Sequence, residues 1–496
     1  MHGSVVMRLS GVAIALVAIA LLLAGGQPAY AVDITVNTTA DDFTDDGDCS
    51  LREAITAANT DTARDACPAG SGADVITLPA GTYGLTIAGT SEGGNVDGDL
   101  DIVNALTING AAAATTIIDA AGSGERHFDI FSNNGAFAVT MSGITMRSAN
   151  GDQDGGAINN SQELTLNSVV ITGNDAQDAG GIQNNGGAEL TINDSTLSNN
   201  SASEKDNGGG IRNSGGTLTI NRSTLNNNFG GLDGGGLANS GTATINNTTI
   251  TGNTVNDGGI GGGISVFGAT TINNSTIAGN SASGGGGGLS DETLKVAAQT
   301  FVSAGVPPVD DGASVALGNG DPSVDITNSI VANNTTGGDC DVTTLTSGGN
   351  NLDSDSTCDL TGTGDKPGQN PQLAALAANG GPTQTMAIPA GSPATDAGNN
   401  ATCLATDQRG ITRPQDGNSD GTAVCDMGAY ELEPPAATPG PGTPTLAPAT
   451  ATPAQLPPTG DGSGGDGSLS PIWFVLGAMA AVVAATVGLR VARARG

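Results

Sequence analysis

Apolar residues alternate with Thr, Ser and Asn along much of the chain, and the alternation returns at a near-constant distance. It reads Leu164-Thr165-Leu166-Asn167, Leu190-Thr191-Ile192-Asn193, Leu218-Thr219-Ile220-Asn221, Ala243-Thr244-Ile245-Asn246 and Thr270-Thr271-Ile272-Asn273. A period of two places the apolar positions on one face of a short strand. The central apolar residue recurs every 25 to 28 residues and reappears at Ile326, a gap read as two steps with one degenerate coil between. Met141 and Ile108 extend the series upstream. A second line keeps the same period: Gly155-Gly156-Ala157, Gly180-Gly181-Ile182, Gly209-Gly210-Ile211, Gly235-Gly236-Leu237, Gly262-Gly263-Ile264 and Gly287-Gly288-Leu289.

Strands of three to four residues cannot bury a face alone. Stacked on like neighbours ~4.8 Å away they form parallel sheets with the apolar line inside. Asn at one corner of every coil can stack into amide ladders, and Gly is expected to supply the positive-φ corners. A leucine-rich or other αβ repeat needs a helix-forming half, which these units lack. The expected fold is therefore all-β: a right-handed parallel β-helix of about ten coils over 74–335, roughly 50 Å long. Asp291 to Pro322 breaks the pattern and reads as a loop bulging from one coil.

A stacked sheet needs closed ends. In Cys49-Ser50-Leu51-Arg52-Glu53-Ala54-Ile55, Ser50 and Glu53 stand at capping-box spacing. Leu51, Ala54, Ile55 and Ala58 share one helical face, so a short helix within 32–73 is expected to cover the first coil.

The termini read as address labels. Arg8, the apolar run Val12 to Ala24 and Ala29-Tyr30-Ala31 form an export signal over 1–31, with a membrane anchor as the alternative. Residues 433–471 are a Pro/Thr-rich stalk and polar spacer; 472–489 are apolar and long enough to span a bilayer; 490–496 are a basic cytoplasmic tail. Leu456-Pro457-Pro458-Thr459-Gly460 resembles the L-P-x-T-G sorting signal of wall-anchored proteins in Gram-positive bacteria, which implies a sortase as partner. The alternative is a retained span. Either way the expected location is the cell surface, tied to the envelope by the C-terminus.

The 496 residues carry 49 acids against 15 bases, a formal net charge of −34, which argues against nucleic acid as a partner. Aromatics are only 2%, so a core of large rings is out of reach.

Cys49 to Ala54, Cys-Ser-Leu-Arg-Glu-Ala, resembles the CSLREA-domain motif of exported bacterial repeat proteins. Asp99-Leu100-Asp101-Ile102, Asn370-Pro371-Gln372-Leu373, Asn379 to Thr385, Gly391-Ser392-Pro393-Ala394, Asp407-Gln408-Arg409-Gly410 and Cys425 to Glu431 match the rest of that layout. The region 336–432 is similar to the "choice-of-anchor Q" domain. The resemblance implies a pectin-lyase-like β-helix displayed on the surface and no defined reaction.

Six cysteines allow about fifteen pairings. Clustering favours Cys49 with Cys67, Cys340 with Cys358 and Cys403 with Cys425. A zinc site is the rival, but no Cys-x-x-Cys occurs and the expected mature chain holds one histidine, His127.

Candidate chemistry is sparse. Asn59-Thr60-Asp61 matches a polygalacturonase motif by spelling only, and Gly89 to Gly93 matches the nucleophile-elbow pattern without its strand–helix context. The bases Arg147, Lys205, Arg212 and Arg222 fall on different lines, with Arg212 and Arg222 read as surface charges, and His127 reads as structural. Asp416, Asn418 and Asp420 have calcium-loop spacing, although Met427 stands where a bidentate Glu belongs, so a structural Ca²⁺ is the one candidate cofactor. Asp45-Asp46-Gly47-Asp48 and Asp97-Gly98-Asp99 are further acidic loops. No catalytic residue is assigned and the chain is not expected to be an enzyme. The expected role is adhesion to an extracellular glycan, host or neighbouring surface, or a structural surface layer. The alternatives are a polysaccharide lyase or glycoside hydrolase of the pectin-lyase-like fold and, third, a carbohydrate-binding module.

Overall fold

The computed structural model describes residues 31–435 apart from 90–93, 133–134, 152–153, 204–206, 257 and 292–321. The export signal, the 292–321 insertion, the stalk beyond 435, the Leu456–Gly460 motif, the apolar span and the basic tail lie outside these residues. Among the described residues no helix is long and apolar enough to cross a membrane.

The chain winds into a parallel β-helix, in the right-handed sense that parallel crossovers favour. Successive turns contribute to parallel sheets of eleven, ten, nine and four strands. The repeat lines of the sequence are the registers of these sheets. Leu166 pairs with Ile192, Ile192 with Ile220, Ile220 with Ile245 and Ile245 with Ile272. All five are essentially without solvent exposure, and burying each such side chain is worth about 1.5–3 kcal/mol.

One expectation needs correcting. Ile272 pairs directly with Ile326, and Thr276–Ala278 pairs directly with Ile330–Ala332. No degenerate coil intervenes; the extra length is one insertion between Leu289–Asp291 and Ser323–Thr327. Gly supplies many of the left-handed corners as expected, among them Gly208, Gly234 and Gly261 ahead of strands of the nine-stranded sheet. After the eleven-stranded sheet that conformation falls to Asp194, Arg222, Asn247, Asn274 and Asn328. The Gly-Gly line has a different cause, which is close approach. A Cβ on Gly210 would lie 2.5 Å from the Gly236 carbonyl oxygen, and one on Gly236 would lie 2.6 Å from that of Gly263. Only glycine lets these rungs stack.

Between the ten- and four-stranded sheets runs an interior amide ladder. Asn174, Asn200, Asn228, Asn253, Asn280 and Asn334 each donate from Nδ2 to the next rung, at 2.9–3.0 Å, and the last donates to Asp339. A second, more exposed ladder joins Asn167, Asn193, Asn221, Asn246 and Asn273 at the end of the eleven-stranded sheet's strands.

The front end is closed by α1 (Leu51–Thr60), whose capping box forms as the spacing predicts. The Ser50 oxygen accepts the Glu53 amide and the Glu53 carboxylate accepts the Ser50 amide. Leu51, Ala54, Ile55 and Ala58 join the apolar interior. Ahead of it, Asp33–Thr35 adds a strand onto Asp74–Leu78. Disulfides join Cys49 to Cys67, Cys340 to Cys358 and Cys403 to Cys425.

After Asp353 the chain loses regular structure and returns along the ten-stranded sheet. Thr383 donates to the Arg222 carbonyl, and Thr224 donates to that of Gln384. Gln408 donates to the Ser223 carbonyl and accepts from Thr249; the Ala429 amide donates to Thr276. Residues of three motif segments, Asn379 to Thr385, Asp407 to Gly410 and Cys425 to Glu431, thus grip the coils, joined by Asn399, Thr402, Leu404 and Thr406 on Asn328, Asn274 and Asn247.

Candidate functional site

The nine-stranded sheet carries the densest chemistry at its front end. Leu100–Ile102 pairs with Phe128–Ile130, so that Leu100 and Ile102 stack on Phe128 and Ile130 inside while Asp101 stands beside Asp129. Asp99, just before the first strand, completes a group whose ligand oxygens all lie within 4.8 Å of one another.

The surroundings fix each member. Asp101 is held through its backbone: its amide donates to Asn95 at 2.6 Å, and its carbonyl accepts from Asn95 and from Asn59 of α1. One Asp101 carboxylate oxygen also accepts the Gly94 amide. Asp129 accepts from Asn159 on the next rung. Asp99 pairs with Arg126 at 2.9 Å, and Arg126 also donates to the Asp154 carbonyl. Arg52, fully buried, is clamped by Asp41 and donates to the carbonyls of Gly98 and Asp99. The arginine of the Cys-Ser-Leu-Arg-Glu-Ala segment therefore secures the strand entrance that carries the acids.

This donor set is all oxygen. Two ligands each about 2.4 Å from a common centre can be at most about 4.8 Å apart, so the three carboxylates fit a hard divalent cation such as Ca²⁺. Arg126 is 7% exposed and engaged by Asp99.

The sequence pointed at one of these residues as part of an acidic loop, Asp99, and quoted Asp101 only within a family motif. Asp129 was missed. Its signal was the echo of Leu100-Asp101-Ile102 in Phe128-Asp129-Ile130 one coil later.

Other candidates stand apart. Asp416 accepts the Asp420 and Gly421 amides and Asn418 accepts the Asp420 amide, so the loop's oxygens bond to its own backbone. Asn59 and Thr60 lie in α1, and Asp61 is its left-handed C-cap. Gly89 is described, but Ser91, Glu92 and Gly93 of the elbow-like pattern are not. Arg147, Arg212 and Arg222 pair with Asp119, Asp178 and Asp194 of the preceding coil. His127 lies wholly inside, its Nε2 3.2 Å from the Ile118 carbonyl and 3.1 Å from that of Arg147. Burial pushes its pKa down to about 4, so at neutral pH it is an uncharged structural residue.

No family model matches the chain, and no curated protein matches it. Three solved structures are similar. The pectate lyase Pel9A is 12% identical with a TM-score of 0.37, covering 83% of this chain and 98% of the lyase. The A-module of the Azotobacter vinelandii mannuronan C-5 epimerase AlgE4 is 14% identical with a TM-score of 0.24, covering 65% and 95%. The alginate lyase AlyGC is 12% identical with a TM-score of 0.18, covering 69% and 57%. The similar structures are two lyases and an epimerase, which runs against the expectation that the chain is not an enzyme. At these identities the likeness speaks to fold alone.

Proposed function

We propose that the chain is an extracellular carbohydrate-active β-helix protein of the polyuronate-lyase class, displayed at the cell surface. The observation that carries this reading is the meeting of Asp99, Asp101 and Asp129 on one sheet. A protein of net charge −34 repels a polyanionic chain. A divalent cation shared between these carboxylates and a uronate would reverse that repulsion locally. When bound, such a cation would draw charge from the uronate carboxylate and make the neighbouring C–H more acidic. The protein's own residues supply the rest: Asn95, Asn59 and Asn159 orient the acids, and Arg126 and Arg52 hold the Asp99 segment. Three disulfides support an oxidising compartment, and the CSLREA and choice-of-anchor Q resemblance supports surface display.

The test is incubation of the full chain with polygalacturonate or alginate, with and without Ca²⁺, following ultraviolet absorbance of unsaturated chain ends. Product should form with Ca²⁺ and fall at least tenfold in Asp101→Asn and Asp129→Asn. Calcium binding with no product on either polymer would leave a surface binder. Neither binding nor product would overturn the reading.

Adhesion or a structural layer is the second reading. What favours it is the outer row Thr165, Thr191, Thr219, Thr244 and Thr271 on the eleven-stranded sheet, a repeating hydroxyl stripe beside the Asn167–Asn273 ladder. A glycan or a neighbouring cell surface could be bound there through many weak polar contacts.

A further inference from the structure

Five charged side chains meet in the returning C-terminal region where water does not reach: Asp407, Arg409, Arg413, Asp426 and Glu431. Arg409 pairs with Asp407 at 2.8 Å and stacks on Tyr430, with 3.8 Å to the ring centroid. Arg413 pairs with Glu431 at 3.3 Å and donates to the carbonyls of Asp426 and Gly428. Three carboxyls thus face two guanidiniums. Asp426 is the odd one: among the described residues its carboxyl accepts only backbone amides, from Asp396 at 2.6 Å and from Leu432 at 2.5 Å. A buried, uncompensated carboxylate is costly, and the cheapest relief is a proton.

This cluster sits at the root of the grip on the coils. Asp407 and Glu431 bracket Gln408 and Ala429, whose bonds reach Ser223, Thr249 and Thr276 on three successive rungs of the ten-stranded sheet. Asp407 also accepts the amides of Arg409, Ile411 and Glu431.

We propose that the C-terminal region is a proton-set clamp on the shaft, in which a proton on Asp426 keeps the region seated and its loss frees the covered face of the ten-stranded sheet. Burial, then Glu431, pushes the Asp426 carboxyl up to about 7, and burial raises Glu431 as well. With the docked pKa above that of the released chain, the grip is complete below the ordinary carboxylate range. It weakens as pH climbs from there through about 7, then levels off. Asp396 faces the same group through its backbone, while its own carboxylate caps the amides of Gly417 and Asn418.

Hydrogen–deuterium exchange of the full chain, divided by the intrinsic chemical rate at each pH, reads this directly. Relative to coil peptides around 217–251, exchange of peptides around 404–432 should rise about tenfold per pH unit between about pH 5 and pH 7. Asp426→Asn should flatten the profile. Should that variant fail to fold, Glu431→Gln decides: it leaves two carboxyls facing two guanidiniums and should move the rise to lower pH. A flat profile in the unaltered chain, or a rise shared equally by the coils, would overturn the proposal. So would a Glu431→Gln profile that does not move.

Discussion

Replacing Asn228 with Ala isolates what the interior ladder contributes. Its Oδ1 accepts both the backbone amide and the Nδ2 of Asn200, at 3.0 Å each. Its Nδ2 donates to Asn253 at 2.9 Å and to the Leu197 carbonyl at 3.1 Å. Alanine deletes all four bonds at a site with no solvent exposure. Asn253 keeps the Asn228 amide and the Asn200 Nδ2 keeps the Ile171 carbonyl, whereas the Asn200 amide is left without a partner. An orphaned buried donor costs about 1–3 kcal/mol and each further lost bond about 0.5–1, so the substitution should cost about 3–5 kcal/mol. Asn221→Ala in the outer ladder also removes amide–amide bonds, to Asn193 and from Asn246, but at a partly exposed site where water replaces them. It should cost less than about 1 kcal/mol. Equilibrium denaturation of the two variants beside the unaltered chain gives the comparison. Equal costs would refute the claim that the buried ladder, rather than Asn stacking as such, stabilises the coils.

Other outcomes follow from the same geometry. Asp129→Asn should weaken Ca²⁺ binding at least tenfold by calorimetry, whereas Asp416→Asn, in a loop bonded to its own backbone, should leave that site's affinity unchanged. Replacing Cys49 and Cys67 together by Ala opens a loop of sequence separation 18 and should cost about 3 kcal/mol in denaturant. His127 has a folded pKa below its unfolded value, so the stability it confers is complete above pH 6.5 and drains as pH falls towards about 4. His127→Gln should flatten that part of the stability–pH curve, measured by denaturation at stepped pH.

The stacking was legible because each coil repeats the same demand on the same column. Ile192 and Ile220 lie 28 residues apart and also on adjacent rungs, so periodicity in sequence is adjacency in space. The capping helix was legible for a local reason: Ser50 and Glu53 satisfy each other within one turn. The gap from Ile272 to Ile326 misled because its length approximates two periods, and only pairing distinguishes a skipped coil from an insertion. The glycine corners were legible, whereas those at Asp194 and Asn247 were not, because Asn and Asp can also adopt that conformation in tight turns. The acidic site was only half visible. Asp99 and Asp101 are near neighbours in sequence, but Asp129 joins them through register, and Arg52 reaches them across 46 residues to Gly98. Single acids in turns carry no mark of the partner that a coil later will place beside them. The grip of the C-terminal region was invisible in the same way, since Gln408 meets Ser223 across 185 residues.

Spin labels placed through cysteine at Thr191 and Thr219 test the stacking itself. These residues pair in register on adjacent strands, so their backbones should lie about 4.8 Å apart and the dipolar broadening should be strong. Labels at Thr191 and Thr244, two rungs apart, should broaden markedly less. Broadening absent at Thr191 and Thr219, or no weaker at Thr191 and Thr244, would contradict a shaft built from rungs in register.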